Sequence, residues 1–178
     1  MRPALVLAAL LTAAAASAQP APPGRLTYGT AAVGVGLTGW DPPAPTLAFS
    51  AAADLHATHG RLHLQGGGST QVGQDGATVE IHVLAGTART RGPLVVSAAV
   101  GPSFAYVVRS QDTRPAGPAA DEPGGIAPGL YASLGASVVV FPEVAFGVEA
   151  FGLLNARIPV AGLRLTTSLG RLPRSAVR

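Results

Sequence analysis

The segment that decides the fold is Leu94–Val108, which reads LVVSAAVGPSFAYVV. Every second position from Leu94 onward carries a mostly bulky apolar residue, whereas the intervening positions are mostly small or polar, as at Ser97, Gly101 and Ser103. Because successive side chains of a β-strand point to opposite faces, this alternation predicts a strand with one apolar face and one small-residue face.

The same alternation recurs along most of the chain, as where Val79, Ile81 and Val83 oppose Glu80 and His82. Turn signals divide the chain into eight candidate strands of mostly about 11 to 16 residues. They are Thr27–Gly39, Thr46–Thr58, Gly60–Val72, Ala77–Arg89, Pro93–Arg109, Ile126–Phe141, Glu143–Leu154 and Val160–Gly170. Such strands are about twice as long as those of soluble sheets, and a tilted strand of about 9–11 residues crosses a bilayer.

The predicted connections alternate in length along the chain. The first, third, fifth and seventh are Trp40–Pro45, Gly73–Gly76, Ser110–Gly125 and Asn155–Pro159, and the second, fourth and sixth are His59, Thr90–Gly92 and Pro142. Longer loops at one end and short turns at the other are typical of transmembrane barrels.

Composition excludes several classes of protein. The 178 residues suffice for one domain, and 12% charged residues with 48% hydrophobic residues is unlike a disordered chain. The absence of cysteine excludes a disulfide scaffold, a thiol nucleophile and cysteine-ligated metal. All 12 basic residues are arginine, and a net charge of +3 is too small and scattered to indicate nucleic-acid binding.

The N-terminus has the features of a secretory signal peptide. Arg2 precedes an apolar stretch from Ala4 to Ala16, and Ala16-Ser17-Ala18 supplies small residues at a cleavage site. We therefore expect a signal peptide over residues 1–18, an N-terminal lead-in over 19–26, a β-domain over 27–170 and a C-terminal tail over 171–178.

The alternating faces and loop lengths of Thr27–Gly170 resemble the small eight-stranded outer-membrane β-barrels, of the outer membrane protein A barrel and OmpX type. The resemblance implies an all-β, eight-stranded, antiparallel, up-and-down transmembrane β-barrel in the bacterial outer membrane. It also implies outer-membrane lipid and the barrel-assembly machinery as partners. Barrels of this type usually end in a terminal aromatic residue, whereas no aromatic residue closes the final strand here.

The face that this resemblance turns inward collects most of the polar and charged residues of the strands. The predicted interior polar network consists of Asp54, His56, Arg61, His63, Gln65, Glu80, His82, Glu149 and Arg164. Hairpin symmetry predicts the cross-strand pairs Asp54–His63, His56–Arg61, His63–His82, Gln65–Glu80 and Glu149–Arg164. Buried charges must be paired, and these pairs would neutralise a barrel interior that side chains fill.

Two chemical interpretations of this network are alternatives to simple neutralisation. A zinc site at His63, His82 and Asp54 has suitable ligand types, but it lacks closely spaced ligands. Some eight-stranded barrels remove acyl chains from lipid A with a serine, a histidine and an acid, the histidine and serine being two residues apart and facing lipid. Here His56 and the two other inward histidines have no serine two residues on. We expect no catalytic residues, metal or cofactor.

The sequence thus predicts a non-enzymatic outer-membrane β-barrel with a structural or loop-mediated interaction role, and it identifies no loop ligand. One rival is a soluble periplasmic β-barrel or sandwich that binds a small ligand, with the apolar face inward. The other is a lipid-modifying outer-membrane enzyme.

Overall fold

The computed structural model describes residues 25–38, 45–73, 76–109, 125–155 and 159–172. The signal peptide, the lead-in before Arg25, the tail beyond Leu172 and most of the longer loops lie outside the described residues. The strands are β1 (Arg25–Thr38), β2 (Thr46–His59), β3 (Leu62–Gly73), β4 (Gly76–Arg91), β5 (Leu94–Arg109), β6 (Gly125–Phe141), β7 (Val144–Asn155) and β8 (Val160–Arg171). Within this part of the chain, no helix is long and apolar enough to span a membrane.

The strands form one closed antiparallel barrel in which each pairs with its neighbours in sequence. The barrel closes where β1 pairs with β8, from Thr27 opposite Arg171 to Thr38 opposite Val160. The eight-stranded up-and-down topology is confirmed, and each predicted strand boundary lies within two residues of the observed one. Closure leaves no strand edge with unpaired backbone groups.

The alternation in β5 determines which side of the wall each residue occupies. Val100 and Phe104 are exposed on the outer surface, whereas Ala99, Ser103 and Ala105 are buried in the interior. The interior of an eight-stranded barrel is just wide enough for side chains to fill, so it favours these small residues. The apolar parity faces outward, as the membrane-barrel interpretation requires.

The two ends of the barrel differ in their connections. At the short-turn end, the strands are joined by Gly60–Arg61, Gly92–Pro93 and Pro142–Glu143. At the opposite end, the loop end, the connections span residues 39–45, 74–75, 110–124 and 156–159. The connection between β3 and β4 is shorter than predicted, because these strands remain paired as far as Gly73 opposite Gly76.

The predicted single-residue turn at His59 is wrong. His59 belongs to β2 and pairs with Leu62, and the turn consists of Gly60 and Arg61. Gly60 adopts φ = 63°, in the left-handed region that glycine enters at little cost. As a result, each β2 residue pairs with a β3 residue four positions later in the chain than the predicted partner.

The turn at Gly92 gives a direct test of backbone strain. Gly92 has φ = 59°, and a Cβ atom there would meet nothing within 4 Å. We expect Gly92→Ala to lower the free energy of unfolding by about 1 kcal/mol through the left-handed conformation alone. Asparagine tolerates this region, so Gly92→Asn should cost less. Urea unfolding of vesicle-inserted protein measures both, and equal stability of Gly92→Ala and the parent would contradict the assignment.

Candidate functional site in the polar interior

The structure places eight of the nine predicted network residues in the barrel interior. Asp54, His56, His63, Gln65, Glu80, His82, Glu149 and Arg164 are all buried. Arg61 is the exception and is a correction to the prediction, because it is exposed in the turn between β2 and β3. The strand that was predicted to turn it inward begins only at Leu62.

His82 on β4 lies between two carboxylates. Its Nε2 is 2.8 Å from Oδ1 of Asp54, and its Nδ1 is 3.1 Å from Oε1 of Glu80. The Asp54 contact is an ion pair by distance and is not aligned as a hydrogen bond. Both carboxylates therefore lie within ion-pairing distance of the same imidazole, one at each ring nitrogen.

Gly67 on β3 makes this arrangement possible. It pairs with Asp54 on one side and with His82 on the other, so the three residues form one row across three strands. A Cβ atom at Gly67 would collide with Oδ1 of Asp54 and would lie 2.8 Å from the Asp54 Cα. The missing side chain therefore leaves the space through which the Asp54 carboxylate reaches the imidazole.

The Glu80 carboxylate is also held from the loop end. Ser69 donates a hydrogen bond of 2.9 Å to Oε2 of Glu80, and Gln71 Nε2 donates one of 2.8 Å to the Ser69 hydroxyl. Ser69 pairs with Glu80 across β3 and β4. These contacts fix the orientation of the carboxylate that His82 contacts.

Arg164 on β8 is the largest fully buried side chain of the described residues. Its Nε donates to the Ser50 hydroxyl at 2.8 Å, and its Nη1 donates to the Tyr131 hydroxyl at 2.6 Å. Nη1 also lies 3.3 Å from Oε1 of Glu149, and the guanidinium lies 3.6 Å above the centre of the Phe151 ring. A buried guanidinium requires such partners, since an unpaired buried charge is strongly unfavourable.

Tyr131 on β6 connects the His82 cluster with the Arg164 cluster. Its ring stacks on His82 with a centroid distance of 4.4 Å, and Phe151 lies on a nearly parallel plane at 6.2 Å. Its hydroxyl accepts the hydrogen bond from Arg164. A continuous column of planar groups, His82, Tyr131, Phe151 and Arg164, therefore crosses the interior.

A second stack lies nearer the short-turn end. Tyr28 stacks on His56 at 4.5 Å, and His56 stacks on His63 at 5.2 Å. The Nδ1 of His56 and the Nε2 of His63 are 3.3 Å apart and share a hydrogen bond. One of these nitrogens must accept, so the contact requires that at least one of the two rings is neutral.

Of the predicted pairs, only Glu149–Arg164 matches the observed register. Asp54 lies opposite Gly67, His56 opposite Gln65, and His63 opposite Thr58 and Gly86. The wrong pairs follow from the misplaced turns, because the β3–β4 register is also displaced by four residues. Asp54 and Glu80 nevertheless both contact His82, because Gly67 leaves room for the Asp54 carboxylate.

Several members of the interior network were not predicted from the sequence. Tyr28, Ser50, Ser69, Gln71, Tyr131, Ser133 and Phe151 are all buried beside the predicted residues. Ser133, for example, donates a hydrogen bond of 3.0 Å to Oε1 of Gln65. All of them occupy the inward-facing positions of their strands, so the alternation of the sequence could have identified them. They were overlooked because the prediction considered mainly charged residues.

The zinc site considered at His63, His82 and Asp54 has no counterpart in the structure. His63 contacts His56, whereas His82 contacts Asp54 and Glu80. Across the described strands, no group of three or more histidine, aspartate and glutamate residues is arranged to hold a metal ion.

The space above Gly67 can be tested by filling it. We expect Gly67→Ala to lower the free energy of unfolding by about 1–3 kcal/mol, because the added methyl group would collide with the Ala53 carbonyl oxygen and with the Asp54 carboxylate that contacts His82. Gly66→Ala is the matched control, since its Cβ would have only the His82 carbonyl oxygen nearby, at 3.9 Å. Urea unfolding in vesicles measures both variants, and equal losses would refute a specific role for Gly67.

The Arg164–Glu149 pair can be tested by a double-mutant cycle. Arg164→Met leaves the Glu149 carboxylate buried without its cation, and we expect a loss of about 3–5 kcal/mol in unfolding free energy. Adding Glu149→Gln removes the uncompensated charge and should restore part of that loss. Strictly additive effects of the two substitutions would show that the pair is not coupled.

Comparison with solved structures finds barrels of the same design. Neisserial surface protein A (NspA) matches with a TM-score of 0.59 and 13% sequence identity, over 80% of this chain and 96% of that chain. Ail, the attachment invasion locus protein of Yersinia pestis, matches with a TM-score of 0.55 and 11% identity, over 82% of this chain and 97% of that chain. No protein-family model and no curated protein sequence matches this chain.

At these identities the matches concern the fold, and they agree with the closed eight-stranded topology. The chain has the fold of the small eight-stranded outer-membrane β-barrels.

Proposed function

We propose that this chain is an integral outer-membrane barrel with no catalytic activity, which acts as a structural element or presents its loops to a partner. The observation that carries the proposal is an apolar belt, the outward-facing large hydrophobic side chains found on all eight strands. One example from each strand in turn is Val33, Phe49, Leu64, Ile81, Val100, Leu134, Val148 and Leu165. A water-soluble protein rarely exposes so continuous an apolar surface.

The height of the belt matches a bilayer. Along β4, the outward side chains from Ala77 to Ala85 are apolar, Thr87 is small and polar, and Arg89 is the first charged one. Ten residues at about 3.3 Å each, tilted by about 40°, rise roughly 25 Å, which is the height of the apolar band of outer-membrane barrels. Closure lets every described strand pair its backbone with two neighbouring strands, as hydrocarbon requires.

Exposed aromatic side chains lie toward both margins of the belt. Phe49, Phe104 and Tyr106 are exposed toward the loop end, and Phe141 and Phe146 toward the short-turn end. Aromatic residues are enriched at the two interfaces of membrane barrels. This distribution supports a barrel that spans the membrane. The difference in loop length supports an orientation with the loop end outside the cell and the short-turn end in the periplasm, and we propose insertion by the barrel-assembly machinery.

The filled interior supports an interaction or structural role over conduction of solutes. Arg164, Tyr131, Leu84 and Leu153 are fully buried and extend into the interior from four different strands. With the lumen occupied, the loops are the parts that can meet a partner, and loops carry function in many proteins. The names of the two matched proteins, a surface protein and an attachment invasion locus protein, are in line with this role.

The contacts of the histidines support the absence of catalysis. His82 contacts carboxylates and His56 contacts His63. The hydroxyls of Ser69 and Ser133 donate to Glu80 and Gln65. A serine nucleophile would instead need a histidine as its base. The soluble rival requires the apolar parity to face inward, which is the reverse of the observed orientation.

Single cysteines test the membrane placement cleanly, because the parent chain has none. A fluorophore on Val83→Cys, whose side chain lies outward in the belt, should be quenched by brominated acyl chains in vesicles. Leu84→Cys, one position away but fully buried, should resist labelling until the protein is unfolded. Arg61→Cys, in the exposed turn, should react with water-soluble maleimide. Absence of quenching at residue 83 together with rapid aqueous labelling there would overturn the proposal.

A further inference from the structure

Exposed arginines are concentrated at the short-turn end of the barrel. The arginine rim consists of Arg61 in the β2–β3 turn, Arg89 and Arg91 at the end of β4, and Arg171 at the end of β8. All four side chains are exposed. Among the described residues, Glu143 is the only acidic residue at this end. Because β8 closes onto β1, the rim follows the arc of wall from β8 through β1, β2 and β3 to β4.

The part of the rim on β3 and β4 is a single patch. The backbone amide of Ala88 donates a hydrogen bond of 3.3 Å to the carbonyl oxygen of Arg61. This bond fixes the turn that carries Arg61 beside the β4 residue that precedes Arg89. Three guanidinium groups are therefore attached to adjoining backbone, and their charges add locally.

The sequence gives the two ends of the barrel opposite charge. Arg25 begins β1 and Arg171 ends β8 at the short-turn end. The connections and adjoining strand ends at the loop end contain Asp41, Asp75, Asp112, Asp121 and Glu122, together with Arg109, Arg114 and Arg157. The excess of arginine is thus confined to one end.

Arg89 and Arg91 lie where their side chains can contact membrane lipid. Both lie on the outward parity of β4, and their β5 neighbours are Val96 and Leu94. Arginine stems lie along apolar surface while the guanidinium reaches the polar interface. A guanidinium binds phosphate oxygens through two parallel hydrogen bonds, which a compact ammonium group cannot do.

We propose that the arginine rim binds the phosphate groups of anionic phospholipids in the leaflet at the short-turn end. The inference rests on the proposed membrane placement and adds a lipid preference to it. The rim borders the apolar belt and its β4 arginines project sideways from the barrel wall, so membrane lipid is favoured over cell-wall polymer as the occupant. Each guanidinium near an anionic surface strengthens binding by roughly fivefold.

The test uses the full mature chain refolded in zwitterionic micelles. Native mass spectrometry measures retention of phosphatidylglycerol and of phosphatidylcholine of the same chain length. We expect the parent to retain phosphatidylglycerol preferentially. Arg89→Gln with Arg91→Gln should weaken that retention by roughly 25-fold, and Arg61→Gln alone by roughly fivefold. The matched control is Arg109→Gln with Arg157→Gln, which removes the same charge at the loop end and should change retention little.

Three outcomes would overturn the inference. The first is equal retention of both lipids, or equal loss in the rim and control variants. The second is displacement of phosphatidylglycerol by inorganic phosphate at the same concentration, which would make free phosphate the ligand. The third is rim-dependent sedimentation with peptidoglycan without any lipid preference.

Failure of this inference is distinguishable from failure of the proposed function. Heat-dependent gel migration reports whether each variant still forms a closed barrel, and quenching at residue 83 reports its membrane placement. Both readouts should be unchanged in the rim variants. If the β4 double variant does not fold, Arg61→Gln in the exposed turn carries the test.

Discussion

Backbone hydrogen bonding between β1 and β8 is the interaction on which the rest of the structure depends. Without it, both strands would present a row of unpaired amide and carbonyl groups, which hydrocarbon cannot satisfy. Closure also defines an inside and an outside, and thereby gives the two parities of each strand different environments. The apolar belt and the buried charges both follow from that division.

Closure at eight strands leaves little room, and small residues decide where large ones can lie. Gly67 admits the Asp54 carboxylate to His82, while Tyr131 occupies the space between His82 and Arg164. The interior is therefore organised around a few charged groups, with glycine, alanine and serine lining much of the remaining wall. A chain in which only 12% of the residues are charged can therefore still have a charged interior.

Parity could be predicted from sequence because it depends only on the two-residue repeat of a strand. The segment Leu94–Val108 shows that repeat plainly, and the strand bounds follow from the turn residues beside each such segment. The register between neighbouring strands was predicted less accurately than parity, because it depends on the conformation of the turn that joins them. One misjudged turn, at Gly60, was enough to displace Asp54 from Gly67 to His63 in the predicted pairing. The Glu149–Arg164 pair was correct because the centre of its hairpin was placed correctly.

The contacts of Arg164 also bear on how the barrel forms. Arg164 lies on the last strand, yet it donates to Ser50 on β2, 114 positions earlier, and Thr30 on β1 contacts Ser168 across 138 positions. These contacts exist only when the two ends of the chain have met. The guanidinium can contact Tyr131 on β6 and Glu149 on β7 before closure, but its hydrogen bond to Ser50 forms only in the step that completes the wall. Contacts of such long sequence separation are associated with slow folding. We therefore expect the closing step to be slow, with the backbone pairing of β1 and β8 and the last contacts of Arg164 forming together.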